Sequence, residues 1–123
     1  MKQLSETIMA QFSSTVSANP EAVVAVLDAN GVLRAISPSV TKIHGYTQAE
    51  MVGQHFSEFF DADDVRHLSL VIQDCLLTGE SIEASRRVRH KFGGYRRVRG
   101  GARRLDDDTT GEAYVLSIGR LID

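Results

Sequence analysis

A tight hairpin signal that leads into short, interrupted helices is the feature that most constrains the fold of this chain. The pair Asn30-Gly31 separates an apolar run, 22–27, from an alternating apolar and polar run, 32–36. Asn-Gly between two such runs predicts a β-hairpin with a two-residue turn, because both central residues of that turn take positive φ. The segment that follows is punctuated by Gly45 and Gly53, which predicts very short helices. A hairpin that continues directly into such helices is an unusual order of elements.

Cap signals and apolar periodicity predict the remaining elements. Ser37 or Ser39 can cap the first short helix, and Thr47 with Glu50 three residues later forms a capping box for the second. An apolar stripe predicts an amphipathic helix at the N-terminus; its members are Leu4, Ile8, Met9, Phe12 and Val16. The first short helix is predicted to end at Gly45, and the other predicted helical segments are 3–17, 48–52, 55–60 and 61–77. The predicted strands are 22–27, 32–36, 81–90, 95–105 and 113–122.

Length, charge and cysteine content exclude several classes of protein. The 123 residues suit one domain with a core of its own. A net charge of -2 argues against a dedicated nucleic-acid binder, which needs a clearly basic domain. Cys75 is the only cysteine, so an intrachain disulfide is excluded. No apolar run approaches the roughly 20 residues that span a bilayer, so we expect a cytoplasmic location and no membrane contact.

Three short motifs together resemble the PAS family of sensory domains. They are the Asp-x-x-Gly hairpin at 28–31, the Gly-Tyr-x-x-x-Glu-x-x-Gly segment at 45–53, and a late glycine hairpin at Gly93-Gly94, where the family usually has Asp-Gly. The resemblance implies an α+β fold whose five antiparallel strands have the order 2-1-5-4-3. It also implies short helices on one face of the sheet and a ligand pocket between those helices and the sheet. We expect residues 1–19 to form a separate N-terminal helix and residues 20–123 to form the PAS domain.

Membership of this family implies a sensor and not an enzyme. Such a domain binds a small ligand or relays a conformational signal to an effector, such as a histidine kinase or a cyclase, within a larger protein. Because the output helix of PAS proteins usually begins where residues 119–123 lie, we expect this chain to be a piece of such a protein. The resemblance also implies a homodimer formed by the N-terminal helix and the outer sheet face. The alternatives are a haem-based gas sensor and a ligand-free module for protein interaction or dimerisation.

The inward faces of two predicted strands supply the candidate pocket residues. Period-two alternation places Ile82, Ala84, Arg86 and Val88 on one face, and that face should meet the helices. A guanidinium buried there needs an anionic partner: a ligand carboxylate, a haem propionate or an internal acid. On the next strand, Gly100 and Ala102 leave room for a ligand or for a phenylalanine. Alternatively, Gly100-Gly101 marks a β-bulge. The predicted pocket residues are Arg86, Ala84, Val98, Gly100, Ala102, Phe59 and Ile72.

Cofactor chemistry has only weak support in the sequence. Haem-binding PAS domains hold iron through a histidine near the start of the long helix, and His67 occupies that region here. Flavin is unlikely, because the chain has no tryptophan and no reactive-cysteine motif; Cys75 has the context of a small buried apolar residue. His and Cys residues do not occur at the spacing of metal ligands.

The outward face of the late strands is rich in arginine. Side-by-side arginines repel one another unless acids intervene, and Glu83, the acids at 106–108 or a partner chain can supply them. The arginines concerned are Arg87, Arg89, Arg97, Arg99 and Arg103.

Overall fold

The strands form one antiparallel sheet in the order β2-β1-β5-β4-β3, which confirms the predicted topology. The computed structural model describes residues 3–81 and 83–122. The strands are β1 (Val23–Asp28), β2 (Leu33–Ile36), β3 (Ala84–Arg89), β4 (Tyr95–Asp106) and β5 (Ala113–Leu121). The helices are α1 (Glu6–Ala18), α2 (Ser39–His44), α3 (Gln48–Met51) and α4 (Ala62–Thr78), with a 3₁₀ turn at Phe56–Phe59.

The hairpin between β1 and β2 forms as predicted, but its turn is of a different type. Gly31 has a φ of 82°, whereas Asn30 does not take positive φ. The Asp28 carboxylate accepts hydrogen bonds from the backbone N–H groups of Asn30 and Val32, at 2.9 and 3.1 Å. The register then shifts between Val26 and Leu27. The side chain of Asp28 therefore replaces the two-residue turn with a longer one that needs a single glycine.

Two serines connect α2 to the sheet and do not cap it. Pro38 is the N-cap residue of α2, and no side chain bonds to that helix end. The Ser37 hydroxyl accepts a hydrogen bond from the backbone N–H of Val24, and the Ser39 hydroxyl donates to the carbonyl of Ala22. The prediction that one of these serines caps the helix is therefore wrong. The predicted capping box of α3, in contrast, is present at Thr47 and Glu50.

The pairing of β1 with β5 joins segments from opposite ends of the chain. Six residue pairs, from Val23–Gly119 to Asp28–Tyr114, form this antiparallel ladder. Both faces of the two strands are buried, so two apolar clusters form. The cluster on the inner face includes Leu27, Leu33, Phe56, Leu68 and Val115. The cluster on the outer face includes Ile8, Phe12, Val24, Val26 and Leu116, which places α1 against the sheet of its own chain.

The edge strand β3 is covered by the segment that precedes α4. Phe60 forms an isolated bridge with Val88, and the backbone N–H of Arg87 donates to the Asp64 carboxylate at 2.9 Å. The guanidinium of Arg87 also bonds Asp64 and Asp61, at 3.2 and 3.3 Å. These contacts satisfy backbone groups that an open sheet edge would expose. Ile82, which was predicted to face inward from this strand, lies outside the described residues.

Strand β4 pairs with β5 without a change of register from Val98 to Asp106, so Gly100 and Gly101 do not form a bulge.

In the part of the chain that the structure describes, no helix combines the length and the apolar composition that a bilayer span requires.

Truncation of Ile8 tests whether α1 is part of the core. Ile8 is fully buried and Met9 beside it is 39% exposed. We expect Ile8→Ala to lower the free energy of unfolding by about 2–4 kcal/mol, because it leaves a cavity between α1 and the sheet. Met9→Ala should cost less than about 1 kcal/mol. Urea denaturation of both variants measures the difference, and equal effects would show that α1 does not dock on this sheet in solution.

Candidate functional site

An apolar cavity lies between the inner sheet face and the short helices. Its volume is about 100 Å³, enough for several water molecules or a small organic molecule. The lining comes from all five strands, from α2, α3 and α4, and from the 3₁₀ turn. The apolar lining residues include Leu27, Leu33, Ile36, Val40, Met51, Phe56, Phe59, Phe60, Leu68, Val71, Ile72, Val88, Val98 and Val115, and the polar ones are His44, Arg86 and Ser117.

The cavity exists because small residues occupy neighbouring positions on the central strands. Ala102 pairs with Ser117 across β4 and β5, and Ser117 pairs with Ala25 across β5 and β1. These three residues form one row across the inner face, and Gly119 lines the cavity two residues further along β5. Side chains of this size cannot fill the layer between sheet and helices.

Five of the predicted pocket residues come together in this cavity, and two do not. Arg86, Val98, Ala102, Phe59 and Ile72 line it, but Ala84 and Gly100 are outside the lining. A Cβ on Gly100 would lie 1.7 Å from the carbonyl oxygen of Ile118. The glycine is therefore required by the close approach of β5, and the prediction that it leaves space for a ligand is not supported.

Arg86 points into the cavity, as the strand alternation predicted. Burial lowers the pKa of its guanidinium from the ordinary value, and no hydrogen bond or ion pair to another described residue opposes this effect. None of the described residues that line the cavity is acidic. A positive charge is thus held in an apolar environment without a counter-ion from the described part of the chain, which is an unfavourable arrangement for an isolated guanidinium.

His44 is a functional candidate that the sequence did not reveal. It lies at the C-terminal end of α2 and is only 3% exposed. Its Nδ1 atom is buried without a hydrogen-bond partner among the described residues. Burial, together with the smaller effects of the nearby charges of His90 and Arg96, lowers the pKa of His44 to about 4. The ring is therefore neutral at pH 7 and adds no second positive charge to the cavity.

The positions of the residues do not suit a haem. His67 is exposed on α4 and is not part of the cavity lining. The cavity is also far smaller than a porphyrin, whose edges would have to displace the phenylalanines that surround it. Among the described residues, no three His, Cys, Asp or Glu side chains are grouped as metal ligands. Cys75 is fully buried in the inner cluster, where burial raises the pKa of its thiol.

A family model described as the PAS fold matches residues 34–118. The chain belongs to the PAS family. The match begins in β2 and ends in β5, so it includes every element that lines the cavity except β1. As a PAS domain, the chain is a sensory domain.

Solved PAS domains share this fold at low sequence identity. A PAS domain of Colwellia psychrerythraea is 17% identical, with a TM-score of 0.76 over 94% of this chain and 97% of that one. A tryptophan-to-alanine variant of the PAS-B domain of Cycle from Drosophila melanogaster, solved with bound glycerol, is 20% identical, with a TM-score of 0.73 over 81% of this chain and 99% of that one. The N-terminal domain of a diguanylate cyclase with a PAS/PAC sensor, from Marinobacter aquaeolei, is 15% identical, with a TM-score of 0.67 over 82% of this chain and 94% of that one.

One curated relative gives a partial match. White collar 2 protein of Neurospora crassa is 30% identical over 70 residues, which are 57% of this chain. The matched segment spans only 13% of the length of that protein.

The neutral state of buried His44 predicts a specific pH dependence of stability. Its pKa is about 4 in the folded domain and 6.5 in an ordinary environment. Between pH 6.5 and 4 the unfolded chain therefore binds a proton that the folded domain does not bind, so stability falls as the pH decreases. The loss attributable to this group reaches roughly 2–3 kcal/mol at pH 4.

Chemical denaturation between pH 4 and 7 measures this contribution as a difference between variants. His44→Leu should make the profile flatter than that of the wild type. His67→Leu, at an exposed position of α4, is the control and should leave the slope unchanged. If the free energies of unfolding of wild type and His44→Leu changed with pH in the same way, buried His44 would not be the cause of the loss of stability.

Proposed function

We propose that this PAS domain detects a small organic molecule that binds in the cavity. The observation that carries the proposal is an apolar cavity of about 100 Å³ into which a few polar side chains project. Ligand sites in proteins have this composition, because apolar walls supply affinity and a few polar groups select the ligand. PAS-B domains of Cycle with this fold were solved with bound glycerol, in a variant, and with bound ethylene glycol, in the wild type, which supports the idea that this fold accepts small polar organic molecules.

The sheet offers a route from the cavity to the N-terminal helix. On β1 and β5, Ala25 and Ser117 face the cavity, whereas the adjacent Val24 and Leu116 pack against α1. A ligand that shifts these strands changes the surface on which Ile8 and Phe12 of α1 rest. We propose that ligand binding changes the population of docked α1 and so reaches an effector, such as a histidine kinase or cyclase, in the larger protein.

Dimerisation through α1 and the outer sheet face stays a prediction. The two most buried apolar residues of α1 already pack on the sheet of their own chain. The part of the outer face beyond α1 carries Arg97, Arg99 and Arg103. Two such faces would bring like charges together, so we propose that a homodimer uses the exposed side of α1 in preference to the arginines.

Filling the cavity tests the proposed ligand site. We expect Ala102→Leu to occupy the space between the sheet and the phenylalanines, so that the variant stays folded but no longer retains a small molecule. Gly101→Ala is the control, because it lies on the opposite face of β4 and a Cβ there meets nothing closer than 3.6 Å. Native mass spectrometry of freshly purified proteins, followed by analysis of molecules released on denaturation, measures the retained ligand.

Two outcomes would contradict the proposal. If the wild type and Gly101→Ala release no small molecule, and Ala102→Leu only raises the unfolding temperature, the cavity is a packing defect and the domain is a ligand-free interaction module. If Ala102→Leu releases the same molecule in the same amount as the wild type, the ligand binds elsewhere.

A further inference from the structure

Arg86 has no acceptor among the described residues, whereas most other arginines of the sheet have one. Arg87 bonds Asp61 and Asp64, Arg99 bonds Glu83 at 3.5 Å, and Arg104 bonds Asp106 at 3.3 Å. Further along the sheet, Arg89 donates to the carbonyl of Glu58, Arg103 to Gln11 and Arg120 to Asn19. Arg87 and Arg99 expose 44% and 52% of their side chains, whereas Arg86 points into an apolar cavity. A guanidinium in such an environment needs an acceptor, and among the described residues Arg86 has none.

The cavity itself cannot supply the missing charge. Its described lining contains no Asp or Glu, and the ring of His44 is neutral at pH 7. Asp61 and Asp64, the acids at the start of α4 that reach β3, are bonded to Arg87. An acceptor for Arg86 therefore has to come with whatever occupies the cavity.

We infer that the ligand of this domain is a small carboxylate, with its anionic group on Arg86 and its apolar body among the phenylalanines. This inference rests on the proposed function of the cavity. A guanidinium offers parallel N–H donors that match the two oxygens of a carboxylate, and such charge-assisted pairs are strong when water is excluded. The apolar residues that surround the rest of the space, among them Phe56, Phe59 and Val115, suit a short hydrocarbon body.

The lining favours a carboxylate over a phosphate. Arg86 is the only cationic side chain among the described residues that line the cavity. A phosphate monoester carries close to two negative charges at pH 7, and one guanidinium leaves much of that charge buried without a partner. One guanidinium balances one carboxylate, and the hydroxyl of Ser117 adds a hydrogen-bonding group for a polar atom on the ligand body.

Matched anionic and neutral probes separate this inference from the proposed function. Butyrate and butyramide have nearly the same shape and differ in charge. Each is titrated, at constant ionic strength and pH 7, into the wild type, Arg86→Met, Arg86→Lys and the control Arg89→Met, which alters the outward face of the same strand. Backbone NMR shifts of residues 84–88, 98, 102 and 117 locate the binding site and give the affinities.

The inference predicts that the wild type and Arg89→Met bind butyrate at least tenfold more tightly than butyramide. Arg86→Met should lose that preference and Arg86→Lys should retain part of it. Without ligand, Arg86→Met should unfold at a higher temperature than the wild type, because it removes a buried charge that has no partner. That shift also shows that the variant is folded.

Other results would overturn the inference in distinguishable ways. If butyrate and butyramide bind the cavity equally, and Arg86→Met changes neither affinity, the cavity is a ligand site but Arg86 does not select a carboxylate. If neither probe moves the cavity resonances of any variant, the proposed function fails together with the inference. If the wild type binds inorganic phosphate more tightly than it binds butyrate, and Arg86→Met loses phosphate binding, the ligand is a phosphorylated molecule.

Discussion

The ladder between β1 and β5 is the constraint on which the rest of this domain depends. It joins residues 23–28 to residues 114–119, so the sheet closes only when segments about 90 positions apart have met. Every other layer uses these two strands as its support: α1 lies on one face, and the short helices with α4 lie over the other. Because loop closure over such a distance costs entropy before any contact forms, the apolar burial on both faces has to offset that cost.

The two faces of the central strands are packed in different ways. On the outer face, Val24, Val26 and Leu116 meet Ile8 and Phe12 in a filled cluster. On the inner face, Ala25, Ala102 and Ser117 lie side by side and leave a cavity. Since alternate residues of one strand face the two layers, a molecule in the cavity and the helix on the other face press on the same backbone. In the proposed function, this shared backbone is the route by which a ligand would affect α1.

The arginines on the outer face of the sheet and the arginine in the cavity differ in their bonding partners. The outward arginines find acids, amides or carbonyl groups nearby, and Arg87 also uses Asp64 to cover the free edge of β3. The pKa of the Asp64 carboxyl is lowered chiefly by its hydrogen bond from the Arg87 side chain. Arg86, one residue earlier and on the opposite face, has no such acceptor in the described structure. Two adjacent residues of the same type thus lie in different environments: Arg87 is bonded to acids at the sheet edge, and Arg86 lines the cavity.

The sequence by itself determined the elements and the inward direction of Arg86, because caps, turns and alternation act over a few residues. The order of the strands followed from the family resemblance. The sequence did not determine the cavity. Ser117, Gly119 and Ala25 are unremarkable until the register places Ser117 between Ala25 and Ala102, and His44 stands out only when burial removes water from its ring. Local signals also assigned the wrong roles to three residues. The Asp28 carboxylate shapes the turn at Asn30, and the Ser39 hydroxyl bonds to the Ala22 carbonyl. Gly100 is required because the β5 backbone lies against it. Only the tertiary structure decided these points, because each depends on a group that another part of the fold brings into contact.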